Sequence, residues 1–223
     1  YTNREEARKS RRKWFPYNKG GEFRRWFGNS EYVVNWENDG HEIQNFTDET
    51  GYLRSRPQSL NYMFRRALTW SFISSSFFGV RCTDAGFLFD VAGSSAFPSD
   101  NWRECIVGFL CSNIAFEMMK ALNPTMNFQV GNVATLPLLI PRVLAVKSAI
   151  DAVVHGALAV ARADWDNLET SWDFRDQPLL RQGLKGATLE ASWRDWEAQC
   201  SNAIRQMQEL ETENNRLFIT AYG

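Results

Sequence analysis

Between Trp14 and Trp36 the chain reads WFPYNKGGEFRRWFGNSEYVVNW, and its cations, aromatics and glycines are placed to grip a polyanion. In Asn18-Lys19-Gly20-Gly21 two residues lack a Cβ. Backbone N–H groups there can approach a phosphate closely, with Lys19 as the point charge. Phe23–Phe27 and Tyr32–Trp36 read as two short strands. Gly28-Asn29-Ser30-Glu31 between them tolerates positive φ and predicts the turn of a hairpin. Side chains alternate along a strand, so Arg24 and Arg25 take opposite faces and at least one meets solvent. The competing reading is an edge hairpin with solvated charges around an aromatic core.

Further along, Leu53-Arg54-Ser55-Arg56-Pro57 places two arginines two apart. They share a face if the segment is extended, and Pro57 favours extension at Arg56. Such a pair suits base edges or phosphates; the alternative is a pair of surface salt bridges. Ser71, Ser74, Ser75 and Ser76 crowd the entrance to a second hairpin, and Arg81 lies on its polar side. Residues 1–13 carry Arg4, Arg8, Lys9, Arg11, Arg12 and Lys13 against Glu5 and Glu6, the pattern of a polar helix or frayed leader that would serve phosphates, not bases.

Other chemistry is poorly represented. Cys82, Cys105, Cys111 and Cys200 form no CxxC pair and have only His41 and His155 to join them, so buried reduced thiols are expected rather than zinc. No Ser/His/Asp or paired-carboxylate spacing surrounds the two histidines, which leaves an independent hydrolase without support. Asn123-Pro124-Thr125-Met126 lacks the second proline and the aromatic of the Asn-Pro-Pro-Tyr/Phe motif with which amino-methyltransferases hold a flipped base. No glycine-rich cofactor loop follows a strand.

The elements that must position these residues follow from periodicity. Glu37 to Gly51 is polar and reads as a loop. Leu68, Trp70 and Phe72 alternate with Thr69, Ser71 and Ile73 as in a half-buried strand. Phe78, Val80 and Cys82 then pair with Phe87, Phe89 and Val91 across Thr83-Asp84-Ala85-Gly86. One buried helix is predicted from Pro98-Ser99-Asp100 to Asn123. Pro141 opens a helix with Val143, Val146, Ile150, Val153, Ala157 and Val160 on one seam. A second seam runs Leu189, Trp193, Trp196, Cys200, Ala203, Met207, Leu210, Asn214 and Leu217, and Trp165 to Gly186 makes an irregular cap between them. An antiparallel helical pair within the chain is the first reading; the second is dimerisation through the Trp193–Leu217 seam, with Asn214 setting register. The fold class expected is α+β, a hairpin-rich mixed domain over 1–140 followed by a long-helix pair over 141–223.

The 223 residues suffice for one or two domains with a real core, rich in aromatics at 16 Phe, 9 Trp and 6 Tyr. The net charge of −1 excludes a uniformly basic nucleic-acid binder. Its distribution is uneven: residues 1–81 hold 14 Lys/Arg against 9 Asp/Glu, and residues 82–223 hold 11 against 17. A module that meets DNA with one face has this asymmetry. No signal peptide or apolar run of spanning length occurs, so a cytoplasmic location without membrane contact is expected. The chain opens on Tyr1 without Met, as a piece of a longer polypeptide does.

Several stretches together resemble one family. They are Tyr17-Asn18-Lys19-Gly20-Gly21, Trp26-Phe27-Gly28-Asn29, Tyr32 to Gly40, Leu53-Arg54-Ser55-Arg56-Pro57, Thr69-Trp70-Ser71, Ser74-Ser75 and Phe89-Asp90-Val91 with Gly93-Ser94-Ser95. Asn123 to Gly131 and Thr170-Ser171-Trp172-Asp173-Phe174 continue the match in order. The family is the adenine-specific DNA methyltransferase of BREX phage-defence systems, similar to the methyltransferase-plus-specificity part of type IIG restriction–modification enzymes. The resemblance implies the region after the catalytic domain, where target recognition lies. It implies double-stranded DNA as partner, the catalytic domain in the same polypeptide, and S-adenosylmethionine bound there and not in this segment. The candidate contacts are then Asn18, Lys19, Gly20, Gly21, Arg24, Arg25, Arg54, Arg56, Ser71, Ser75 and Arg81. A helical module that docks the methyltransferase to another defence subunit is the alternative.

Overall fold

The computed structural model describes residues 1–75 and 77–223, and the fold is α+β. Ser76, one of the serines at the second hairpin, lies outside the described residues. The chain opens with α1 (Arg4–Lys9). Asn3 caps it by accepting from the Glu6 N–H, and acidic residues in the first turn with basic ones in the last match the helix dipole. Next come β1 (Trp14–Asn18) and β2 (Tyr32–Asn35), paired antiparallel from Trp14↔Asn35 to Tyr17↔Tyr32.

This pairing corrects the expected hairpin. Tyr32–Asn35 is a strand, but its partner is Trp14–Asn18 and not Phe23–Phe27. Pro16 hides β1 in the sequence, because a proline demotes a strand. It is tolerated here because the strand on the other side of β1 pairs only with Tyr17 and Asn18. Trp26 adopts a left-handed φ of 69° and makes a single bridge to Arg81, donating to the Val80 carbonyl at 2.8 Å and accepting from Cys82 N–H at 2.7 Å.

After β2, α2 (Glu37–Gln44) occupies much of the expected loop. Asn38, Asp39 and Gly40 open it in the left-handed region, which Asn, Asp and Gly visit most readily. β3 (Ala67–Ser71) is buried on both faces, not half-buried, because it is the centre of a sheet ordered β4-β3-β6. β4 (Val80–Thr83) and β6 (Gly93–Ala96) flank it antiparallel, with Trp70 opposite both Val80 and Ser94. The second expected hairpin is corrected accordingly. The turn around Ala85-Gly86 exists, but β5 (Leu88–Phe89) leaves β4 and runs parallel to β1 in the first sheet, ordered β2-β1-β5. The two sheets meet where backbone passes backbone. A Cβ on Gly93 would lie 2.2 Å from the Asn18 carbonyl oxygen, and one on Gly20 would lie 2.6 Å from that of Ala92.

The apolar run after Ser99 forms two helices, α3 (Asp100–Leu110) and α4 (Asn113–Leu122), bent by 72°. The Ser112 hydroxyl accepts from Ala115 N–H and starts α4 afresh. Short α5 (Val130–Ala134) and α6 (Ile140–Leu144) follow. Val146 leaves helical geometry, so the helix expected from Pro141 is α6 plus α7 (Lys147–Trp165). α8 (Leu189–Tyr222) runs antiparallel to α7: Gly156 faces Leu210, while Val154 and Ile150 meet Asn214 around Gly108. Asn214 is buried and donates to the Gly108 carbonyl at 2.9 Å, so its amide serves α3 within the chain and not a dimer register. Between the two helices the chain is irregular apart from a short 3-10 turn, Pro178–Leu180. The larger core draws on both sides of Pro141, from Trp26 and Trp70 to Phe218. A smaller one (Ala7, Phe15, Trp36, Met63, Phe64, Leu88) lies under the first sheet. Among the described residues no single helix is long and apolar enough to cross a membrane.

Candidate nucleic-acid interface

The stretch from Asn18 to Gly28 is a junction more than a reading hairpin. Arg24 lies over the Trp165 ring at 5.0 Å and bonds Asp164 at 2.9 Å, both at the end of α7. Arg25 reaches α8, where Glu211 accepts it at 3.2 Å and also accepts Trp26 Nε1–H at 2.8 Å. Phe27 lies under the Arg162 guanidinium at 4.1 Å, and Arg162 pairs in turn with Asp84. Two arginines that the strand pattern sends to opposite faces both turn inward to the helical pair.

Three further candidates are buried. Asn18 and Ser71 are buried, and Arg81 is only 2 % exposed, all below the surface that DNA could touch. The Ser71 hydroxyl donates to the Gly21 carbonyl at 2.8 Å. The Arg81 guanidinium contacts the Arg24 carbonyl and Ser71 Oγ only at 3.4 and 3.5 Å, and burial pulls its pKa down to about 10. Gly20 is buried too, and its missing Cβ admits the Ala92 carbonyl rather than a phosphate. Gly21 is exposed.

Lys19, Ser75, Arg54 and Arg56 stay at the surface. Lys19 is held 3.1 Å from Asp90 and lies over the Tyr17 ring. Burial alone would raise the Asp90 carboxyl; bonds from the Tyr17 hydroxyl and Lys19 outweigh it and hold the carboxyl below its usual range. Arg54 and Arg56 belong to a small finger. Thr47 and Leu53 bridge antiparallel, Arg54 N–H donates to the Phe46 carbonyl at 2.8 Å, and Asp48 Oδ1 accepts from Thr50 and Tyr52 N–H at the tip. The same carboxylate holds Arg54 Nε at 2.8 Å, and the guanidinium lies over Tyr52 at 5.3 Å. Sequence reasoning missed the exposed aromatics of this finger, Phe46 and Tyr52, the latter 66 % exposed. The signal was present: a turn run, Asp48-Glu49-Thr50-Gly51, sits between two aromatics.

Exposed cations without an ion pair among the described residues are Arg8, Arg11, Arg12, Arg56 and Arg65 in the first 66 residues, and Arg142, Arg175, Lys185 and Arg205 in the helical part. Asn123, the apparent methyltransferase motif, is spent on a turn: its side chain donates to the Asn127 carbonyl and accepts from Thr125.

No family model matches the chain. It is 38 % identical over 215 residues to the adenine-specific methyltransferase PglX of Lacticaseibacillus casei (strain Zhang), covering 94 % of this chain and 18 % of that protein. It is 35 % identical over 218 residues to the adenine-specific methyltransferase BrxX of Escherichia coli O9:H4 (strain HS), covering 96 % of this chain and 17 % of that one. The chain is homologous to one segment of the BREX adenine-specific methyltransferases. It spans less than a fifth of the length of these curated relatives.

A groove of about 890 Å³ lies between residues 23–26, the end of α7 and the middle of α8. Trp196, Gln199, Asn202 and Met207 line it, and Arg24 and Arg25 at its wall are neutralised by Asp164 and Glu211. Cys200 also lines it, half-buried, whereas Cys82, Cys105 and Cys111 are buried, and burial raises their thiols to about 12, 11 and 11. The Cys200 thiol is raised as well, by burial and then by Asp164, but remains the reachable one. Maleimide treatment of the folded chain should therefore label Cys200 first and the other three only on unfolding, as peptide mass mapping would read.

Proposed function

We propose that this segment recognises target DNA for an adenine-specific DNA methyltransferase, through the exposed cations and aromatics of its first 66 residues. The observation that carries the reading is the finger around Arg54 and Arg56. An Asp48-organised turn projects Tyr52, Phe46 and two arginines from the body, with Arg56 unpaired. Arginines on a rigid projection can bond guanine edges bidentately, and the aromatics can contact bases or a thymine methyl. Arg8, Arg11, Arg12 and Lys19 serve phosphates, the sequence-independent part of the grip. On this reading N6-adenine methylation and S-adenosylmethionine binding belong to a catalytic domain elsewhere in the polypeptide, and the segment contributes no catalytic group.

The test is salt-dependent binding of the chain to duplex DNA. Lys19→Ala should weaken binding to all sequences alike and lower the salt slope by about one unit, less if Asp90 already neutralises part of its charge. Arg56→Ala should cost about 1–3 kcal/mol and relax preference at one base position. No salt-dependent binding by the chain, or two substitutions without effect, would count against the reading.

The second reading is a docking module for another defence subunit. The groove beside α8 favours it, since an amide-lined, charge-neutral wall suits a protein partner better than a phosphate backbone. Substitutions at Asn202 or Trp196 would then disturb assembly and leave DNA affinity unchanged.

A further inference from the structure

A concavity of about 110 Å³ opens beside Trp172, apart from the finger and from the groove beside α8. Residues 27–30, the turn after β4, the end of α7 and the Ser171-Trp172-Asp173 run meet there. Two stretches singled out in the sequence, Trp26–Asn29 and Thr170–Phe174, thus come together from far apart along the chain. Four rings line the concavity: Phe27, Phe87, Trp165 and Trp172. Their faces are partly spoken for. Arg162 covers Phe27 at 4.1 Å, Arg24 covers Trp165 at 5.0 Å, and Phe87 stacks against Trp172 at 6.1 Å with the planes 10° apart. Trp172 still stands 51 % exposed, so one face of its indole is open to a further ring. An open indole face is a stacking platform for a nucleobase.

The polar groups at the wall narrow the ligand. Arg162 bonds Asp84 through one Nη at 2.8 Å, and its other N–H groups have no partner among the described residues. The Asp173 carboxylate has neither a hydrogen bond nor an ion pair among the described residues. A cationic ligand would meet Arg162, and an anionic one would meet Asp84 and Asp173. What remains is a neutral flat ring that both accepts and donates. Size narrows it further. A closed apolar cavity of about 150 Å³ takes benzene. At about 110 Å³ and open on one side, this one suits a single six-membered ring and not the two fused rings of a purine. We propose that it is a site for one pyrimidine base, stacked on Trp172, with a ring carbonyl accepting from Arg162 and an N–H donating to Asp173. Cytosine and thymine both carry such a pair of groups. That the base belongs to an unstacked nucleotide of DNA rests on the DNA-recognition reading; the site itself does not.

Saturation-transfer NMR with cytidine, thymidine and adenosine reads the site without any DNA. The two pyrimidine nucleosides should bind saturably with a Kd of about 1 mM, and adenosine about tenfold more weakly. Trp172→Ala should weaken pyrimidine binding about tenfold, while Trp172→Phe keeps most of it. Absence of saturable transfer, equal binding of adenosine, or binding unchanged in Trp172→Ala overturns the site. If Trp172→Ala fails to fold, Asp173→Ala at the exposed rim takes its place with the same expectation. A second arm finds the source of the base. Duplexes with a cytosine or thymine opposite an abasic position are compared with the fully paired duplex, since an unpaired base costs least to unstack. Binding about tenfold tighter to the unpaired pyrimidine, absent with an unpaired adenine and lost in Trp172→Ala, supports a base from DNA. Nucleoside binding without that preference supports the site as one for a free nucleotide. No affinity for any duplex removes the DNA-recognition reading, and the nucleoside result then decides the site alone.

Discussion

Trp26→Ala should lower the unfolding free energy by about 3–5 kcal/mol, the range for removing a large buried aromatic. Trp26 is 1 % exposed and belongs to the larger core. Three parts of the molecule converge on it: its backbone closes on Val80 and Cys82 at the edge of the second sheet, its ring lies in the core, and its Nε1 donates to Glu211 on α8. The left-handed backbone at this position is costly for a bulky residue and is held only by those contacts. Alanine removes the ring but leaves the strained φ. Trp26→Phe should recover much of the core contact while still losing the indole bond. Chemical denaturation with an unchanged slope would read both values.

Glu211→Ala should cost about 2–4 kcal/mol, less than a fully buried pair because Glu211 keeps some contact with water. Its carboxylate accepts both Arg25 and Trp26, whose side chains have few other polar partners. Arg25 Nε is already buried without a partner, so losing Glu211 strands a guanidinium against α8. Since Trp26 and Glu211 share a bond, the double variant should fall short of the sum of the singles by about 0.5–1.5 kcal/mol. Strict additivity would mean that the indole bond contributes nothing.

Both expectations concern the stretch that also dominates the sequence, and the difference in meaning shows what the sequence carried. Its composition marked residues 14–36 as special, and they are. Arginines and aromatics at a surface and at an internal junction look alike in one dimension, because either place needs cations next to rings. What separates them is Asp164 and Glu211, well over a hundred residues away. Pairing of strands was misread for the same kind of reason. Tyr32–Asn35 was legible, but Pro16 concealed its partner, and the run from Val80 to Val91 gave no sign that β4 and β5 part into different sheets. The helices were far more legible, since seams at spacing three and four are local. Even so, Ser112 and Val146 divided two helices that apolar periodicity joins. For Arg54 and Arg56, spacing and Pro57 suggested a shared face for DNA or surface salt bridges; both are exposed, and Arg54 makes such a bridge to Asp48.

The role proposed for this segment is to choose the DNA sequence to be methylated. It is tested most directly in the full-length methyltransferase, by mapping methylated adenines across the genome in Lys19→Ala, Arg54→Ala and Arg56→Ala. Lys19→Ala should lower the extent of methylation at all sites together. Arg54→Ala or Arg56→Ala should change the sequence pattern at one position while the protein stays folded. Methylation unchanged in both extent and pattern in all three variants would contradict the claim and leave the docking reading in its place.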